Sequence, residues 1–313
     1  MKTCVTGGAG FIGSNLVERL VADGHEVVVL DNLVTGRREN LAGVIDHVDF
    51  REGDLRDRVA VAEAVEGCEV VYHQAALAAV ARSVENPREV TEVNVTGTLN
   101  VLLAARDAGA KRVVFASSSS VYGDTPELPK IETMTLSPRS PYAATKAACE
   151  GFLTAFHASY GLEGVALRYF NVYGPRQSAR SRYAAVVPRF IESMSAGDPC
   201  VIYGDGGQTR DFTFVGDLVE ALVLSARAPR AIDGPMNLGG GSRISVLDLA
   251  RSIAKAVQFR GEPAFEPARV GDVRDSLADI RRAKECLGWR PKTALAEGIE
   301  KILAYTHANP AVS

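Results

Sequence analysis

Short apolar runs rich in β-branched residues recur along the first half of the chain, and between them apolar residues return at helical spacing. The runs 2–6, 26–30, 48–52, 69–73, 111–116 and 165–169 are read as strands. As a set they are apolar rather than alternating, the pattern of strands covered on both faces. Ile12, Leu16 and Leu20 mark one intervening helix, and Leu99, Leu102 and Leu103 mark another. Strand–helix repetition of this kind predicts an α/β fold built on a doubly wound parallel sheet. After Asn171 the texture changes. Pro, Gly and Arg become frequent, as in Tyr173-Gly174-Pro175-Arg176 and Gly204-Asp205-Gly206-Gly207. The first domain is therefore read over 1–171, and a smaller C-terminal α/β substrate-binding lobe over 172–313. Elements near 211–257, among them 235–239 and 246–257, are expected to pack back on the first domain.

Composition narrows the function. With 313 residues and a formal net charge of −3, the chain carries no basic stripe, so a nucleic-acid partner is not expected. Its apolar runs are strand-sized, so no membrane span is expected, and the N-terminus runs directly into a strand without space for a signal peptide. The cysteines, Cys4, Cys68, Cys149, Cys200 and Cys286, are scattered and odd in number, which predicts reduced thiols in a cytoplasmic protein. The histidines show no metal-ligand spacing, so no metal is expected.

Thr6-Gly7-Gly8-Ala9-Gly10-Phe11-Ile12-Gly13 joins the first strand to the first helix. Gly7 permits a tight turn, Gly10 lets backbone approach a pyrophosphate, and Gly13 lets helix and strand pack closely. The helix start then offers N–H groups and a positive dipole end to phosphates. This is a Rossmann dinucleotide loop. Asp31 ends the second strand, where a carboxylate accepts from the adenosine ribose and repels a 2′-phosphate, so the expected cofactor is NAD. Arg37 and Arg38 are the alternative, since they could shelter that phosphate. Asp54, in Gly53-Asp54-Leu55, reads equally as a partner for the adenine amino group and as a polar strand-end residue. Phe11, Ile12, Asn32, Leu55, Ala75, Asn94 and Tyr169 complete the set assigned to the cofactor.

Ser140-Pro141-Tyr142-Ala143-Ala144-Thr145-Lys146 begins a helix, with Ser140 as N-cap and Pro141 in the first turn. Tyr142 and Lys146 then share a face, and an ammonium beside a phenol is expected to lower a pKa that starts near ~10. Tyr142 becomes a base usable near neutral pH. Ser117-Ser118-Ser119-Ser120 follows the fifth strand, at the sheet end where ligands sit. A hydroxyl there either shares the proton of a reacting substrate hydroxyl with Tyr142 or simply caps the strand end.

These segments resemble the extended short-chain dehydrogenase/reductase family, specifically its nucleotide-sugar 4-epimerases. The resemblance spans nearly the whole chain. It is carried by the glycine loop, Ser118-Ser119-Ser120-Val121-Tyr122-Gly123, Tyr142 with Lys146, and Arg168-Tyr169-Phe170-Asn171, and it continues through Arg210-Asp211-Phe212 and Arg269-Val270-Gly271-Asp272. It implies that Ser118 and Tyr142 hold the sugar O4, with Ser119 and Ser120 as neighbouring hydroxyls, and that Lys146 bridges the nicotinamide ribose. Asn171, Arg210 and Arg269 would hold a diphosphate, Asp272 the nucleotide ribose, and Tyr203 would stack near uracil. The substrate implied is a UDP-sugar, and the assembly a homodimer. Ala78 stands where galactose-type epimerases have lysine, and Ser276 where they have a bulky tyrosine beside the sugar C2 group. Small residues at both places favour N-acetylated sugars, UDP-GlcNAc and UDP-GalNAc, alone or beside UDP-Glc and UDP-Gal. Alternatives are UDP-glucuronate 4-epimerisation, or decarboxylation or dehydration through the same 4-keto sugar, with Arg82 or Arg182 meeting a C6 carboxylate. Of another class is a non-catalytic regulator that binds NAD or a nucleotide sugar.

Overall fold

A computed structural model describes residues 1–179, 184–268 and 273–309. Its central sheet contains β1 (Lys2–Thr6), β2 (Glu26–Asp31), β3 (Val48–Glu52), β4 (Val70–His73), β5 (Arg112–Ser118), β6 (Glu163–Tyr169) and the strand Met236–Leu238. The spatial order is Met236–Leu238, β6, β5, β4, β1, β2, β3, and all neighbouring pairs are parallel. In the register of the central strands, Cys4 faces Val28 on one side and Val71 on the other.

Side chains alternate between two covered faces. Val5, Val29, Tyr72 and Val114 pack with Leu16 and Leu20 of α1 (Phe11–Ala22), and with Leu218 and Leu222 of the helix Val215–Ser225. Cys4, Val28, Val71, Val113 and Phe115 pack on the other face. They meet Val61 and Ala64 of the helix Arg58–Val65, Leu102 and Ala105 of Gly97–Asp107, and Leu153 and Phe156 of Pro141–Tyr160. Each such large apolar side chain contributes about 1.5–3 kcal/mol on burial, so both faces hold the helices to the sheet.

β3 departs from the apolar reading. It is the sheet's edge, its residues are half-buried or exposed, and it carries Asp49 and Arg51, which pair with each other at 2.7 Å. An edge strand has only one neighbour and gains less from apolar residues.

Beyond Asn171 the chain contributes to both layers. Met236–Leu238 extends the sheet beside β6, and Val215–Ser225 covers α1. The helix Val246–Ala256 instead packs between Val186–Ser195 and Leu295–Ala308.

Candidate active site

Strand order reverses at β1, and a cleft opens there at the C-terminal strand ends. Gly7 is left-handed at φ +69, and a Cβ on it would lie 2.7 Å from the Ala75 backbone. A Cβ on Gly13 would lie 2.1 Å from the Gly7 carbonyl oxygen, so only glycine lets α1 start this close to the turn. Gly10 begins α1 without a side-chain cap, and Phe11, Ile12 and Gly13 line the cleft. Uncapped N–H groups at a helix start suit an anionic pyrophosphate.

Asp31 is buried at the end of β2. Its Oδ2 accepts from Ala9 N at 2.9 Å and its Oδ1 from Leu33 N at 2.8 Å. Burial pushes this carboxyl above its ordinary range, against the pull of the two backbone donors. Asn32, Leu55, Ala75 and Ala78 also line the cleft, whereas Arg37 and Arg38 do not. Arg38 lies over the Phe50 ring, 4.8 Å from its centroid. Asp54 acts at one remove: it accepts from Asn32 Nδ2 at 2.9 Å and from Arg56 at 2.8 Å, and it is Asn32 and Arg56 that line the cleft. The Arg56 guanidinium holds the Asp54 carboxyl well below the usual carboxylate range. Asn94 sits in a π-helical turn, Glu92–Thr96, with its amide taken up by protein. Its Oδ1 accepts from Leu77 N at 2.8 Å, and its Nδ2 donates to Leu77 O at 3.2 Å and Thr145 Oγ1 at 3.1 Å. It latches the loop after β4 to the helix that carries Tyr142, and it presents no spare donor to a ligand.

Gln74 is a cleft residue that no motif reveals. Its Oε1 accepts from the Tyr169 hydroxyl at 2.9 Å, while its buried Nε2 has no protein partner. The only sequence signal is its place one residue past β4. Its neighbour His73 is structural: it is wedged between Thr6 Oγ1 at 2.7 Å and Thr98 Oγ1 at 2.9 Å, and burial pushes it down to about 3.

The catalytic motif folds as its residues dictate. Ser140 Oγ accepts from Ala143 N at 3.1 Å and Pro141 occupies the first turn of the helix Pro141–Tyr160. Tyr142 and Lys146 are both buried, and the Ser118 side chain stands close enough to the Tyr142 phenol to favour its charged form. Ser118 Oγ also accepts from Ser120 N at 3.2 Å and Ser120 Oγ at 2.9 Å, at the start of the turn Ser119–Tyr122. The expected effect of Lys146 on the phenol is not what the geometry gives. Burial pushes Tyr142 upward, and the contact that lowers it is Ser118. Lys146 Nζ instead donates to Ala116 O at 2.7 Å, above the Phe115 ring at 4.8 Å and 5.9 Å from the Tyr142 ring centroid. Its own burial pushes Lys146 down to about 8.

A second pocket, in the C-terminal lobe, gathers Asn171, Tyr203 and Arg210 with Arg189, Phe190 and Gln208. Arg189, on the helix Val186–Ser195, is a cation that the sequence motifs miss. Arg210 Nη1 donates to Thr209 O and Arg274 O, each at 2.9 Å. Ser276 Oγ accepts from Asn171 Nδ2 at 3.2 Å and Asp211 N at 3.3 Å, so its hydroxyl ties the segment to the pocket wall. Arg269, Asp272 and Arg182 lie outside the described residues. Arg82 is engaged by Glu89, at 2.9 Å. Among the described residues there is no cluster that could hold a metal ion, no helix long and apolar enough to cross a membrane, and all five cysteines are free.

A glycine turn on an uncapped helix start, facing Ser118 and the buried Tyr142 and Lys146 across one sheet end, defines a dinucleotide-dependent enzyme of the extended short-chain dehydrogenase/reductase type. The model of the NAD dependent epimerase/dehydratase family matches residues 3–239, and the chain belongs to that family. A UDP-glucose 4-epimerase of Mycolicibacterium smegmatis is 46% identical over 97% of this chain and 98% of its own length. The solved structure of a UDP-N-acetylglucosamine 4-epimerase from Methanobrevibacter ruminantium, in complex with UDP-N-acetylmuramic acid, superposes with a TM-score of 0.94 at 37% identity, covering 98% of each chain. A UDP-glucuronic acid decarboxylase of Arabidopsis thaliana is 36% identical over 96% of this chain and 67% of its own length.

Proposed function

We propose that this chain interconverts the C4 epimers of a UDP-sugar, using tightly held NAD, through a transient 4-keto sugar. The observation that carries the reading is the placement of Tyr142 and Lys146, the lysine bonded to Ala116 O at 2.7 Å, beside Ser118 at the sheet end that also presents the glycine loop. The 46% identity with a UDP-glucose 4-epimerase supports it. The division of labour follows the two pockets: strand ends up to Asn171 hold the dinucleotide, and the lobe beyond holds the uridine diphosphate.

The residues present fit NAD. The N–H groups at the start of α1 take its pyrophosphate, the buried Asp31 its adenosine ribose, and Lys146 with Tyr169 the nicotinamide end. When bound, NAD accepts the C4 hydride, returns it, and brings a positive charge near Tyr142. Tyr142 takes the O4 proton, and Ser118 shares and orients it. Lys146 is held beside the site by its bond to Ala116 O. Asn171, Arg210 and Arg189 grip the diphosphate while the keto sugar turns over to offer its other face. Tyr142 then returns the proton to O4. Positioned proton transfer of this kind is worth about 10²–10⁴ in rate.

UDP-Glc and UDP-Gal head the substrates, and the small side chains Ala78 and Ser276 extend them to UDP-GlcNAc and UDP-GalNAc. We place the enzyme in the cytoplasm, on its free thiols, as a homodimer joined through the helices that carry Leu99, Leu103 and Phe152. Engagement of Arg82 by Glu89 weighs against a decarboxylase. The test is a panel of UDP-sugars, UDP-glucuronate included, incubated without added NAD and read by NMR. C4 epimers without loss of CO₂ or water are expected. Release of CO₂ or water, or no turnover of any member, would refute the reading.

A further inference from the structure

Gln74 lines the dinucleotide cleft between the glycine turn and the end of β6. Its main-chain N donates to Thr6 O at 3.1 Å, which carries the β4–β1 pairing one residue past the end of β4. Ala75 beside it closes on Gly7, leaving 2.7 Å for a Cβ there. The Gln74 side chain reaches the other way, across β5 to β6, where Oε1 accepts from the Tyr169 hydroxyl at 2.9 Å. Tyr169 is buried, and burial pushes its phenol upward, so the hydroxyl keeps its proton and must place it on an acceptor. Gln74 Oε1 is that acceptor. The bond fixes the amide: Oε1 faces Tyr169, and Nε2 is turned away with its own N–H groups to place. Nε2 is buried and has no partner in the protein.

A buried amide N–H without an acceptor is destabilising, and native structures hold few of them. The sheet shows what stands on either side of this one. Successive side chains of a strand point to opposite faces. Val114, Ala116, Leu167 and Tyr169 face α1, whereas Phe115 and Ala166 face the helix Pro141–Tyr160. Gln74, two residues past Tyr72, continues the α1 face. Lys146 lies over Phe115 on the opposite face. The ends of β4, β5 and β6 are therefore flanked by Gln74 and Tyr169 on one face and by the helix that carries Tyr142 and Lys146 on the other. Asp31 closes β2, on the far side of β1 from these strands. A dinucleotide that runs from Asp31 past the start of α1 brings its nicotinamide half to the ends of β4, β5 and β6.

We propose that Gln74 binds the nicotinamide half of the dinucleotide, its Nε2 donating to an oxygen of that half while Tyr169 holds the amide in the donating orientation. The proposal rests on the reading of NAD and Tyr169 given above, and it adds a residue that the motifs do not assign. A neutral donor suits this place. The nicotinamide ring is cationic when oxidised and neutral when reduced, and a lysine or arginine here would oppose the cationic form.

The test is calorimetric titration of the full chain, cleared of bound dinucleotide, with NAD and with ADP, which carries adenosine and diphosphate but no nicotinamide half. Gln74→Leu should weaken NAD by about tenfold, the scale of one hydrogen bond from a buried donor, and leave ADP as in wild type. Unchanged NAD affinity overturns the proposal. So does an equal loss on both ligands, which would make Gln74 a support of the cleft as a whole. Because Gln74→Leu strands the buried Tyr169 hydroxyl and can impair packing, Gln74→Leu with Tyr169→Phe removes the pair together. There too NAD should weaken by about tenfold or more against an unchanged ADP, and a wild-type NAD affinity overturns the assignment. Neither titration needs turnover. A wild type that binds no NAD would refute the cofactor reading itself, whereas a wild type that binds NAD no better than Gln74→Leu refutes the role of Gln74 alone.

Discussion

On the proposed cofactor side most of the residues lie within a few residues of a strand end. Gly7 follows β1, Asp31 closes β2, Leu55 follows β3, Gln74 to Ala78 follow β4, Ser118 closes β5 and Tyr169 closes β6. On the proposed nucleotide side Asn171, Tyr203, Arg210 and Ser276 come from separate segments, and Asp211 ties the segments of Asn171 and Ser276 together. Asp211 is fully buried; its Oδ1 accepts from Gly240 N at 2.6 Å and its Oδ2 from Ala278 N at 2.9 Å. Its main chain meets Asn171 Nδ2 at 2.9 Å and Ser276 Oγ at 3.3 Å. One half is therefore rigid by virtue of the sheet. The other depends on a few polar tethers, and mutations in the two halves should separate cofactor binding from substrate binding.

The largest expected effect falls where the halves meet. Tyr142→Phe should lower turnover by at least ~10²-fold, while NAD binding by calorimetry stays near wild type. Near-normal turnover would remove Tyr142 as the base. Next is Asp31→Asn on the cofactor side. It should weaken NAD by about tenfold, the scale of a charge-assisted hydrogen bond, relax discrimination against NADP and leave KM for the UDP-sugar alone. Equal wild-type affinity for NAD and NADP would show that Arg37 and Arg38 matter more than Asp31.

The smallest effect is on the tether. Asp211→Asn should raise KM for the UDP-sugar by about fivefold and leave NAD affinity unchanged. It should also alter stability against pH. Burial pushes Asp211 up to about 6, so between about pH 4 and 6 the folded chain keeps a proton that the unfolded chain gives up. This group's contribution to stability is greatest below that window and is lost as pH rises through it. Thermal melts across the window should therefore lack that component in Asp211→Asn. A parallel pH dependence in both proteins would show that Asp211 does not titrate there.

Much of the cofactor half was legible because its chemistry is local. Gly7, Gly10 and Gly13 encode a turn and a close approach, and Ser140-Pro141 encodes a helix start that puts Tyr142 and Lys146 on one face. The same locality hid Gln74, since its unpartnered Nε2 becomes visible only when β6 brings Tyr169 alongside it. Ser276 illustrates the opposite case. Its small size is readable in the chain, but its bonds to Asn171 and Asp211 join residues far apart in sequence.

By itself the sequence determined the α/β class, the first six strands to within a residue or two, the glycine turn before α1 and the helix face shared by Tyr142 and Lys146, because each rests on periodicity or on backbone freedom within a few residues. Tertiary structure alone decided the charge on each group. Lys146 bonds to Ala116 O rather than lowering the phenol, and Asp54 works through Asn32 and Arg56. Protonation depends on burial and on which charges converge from other strands, and helical spacing carries neither quantity.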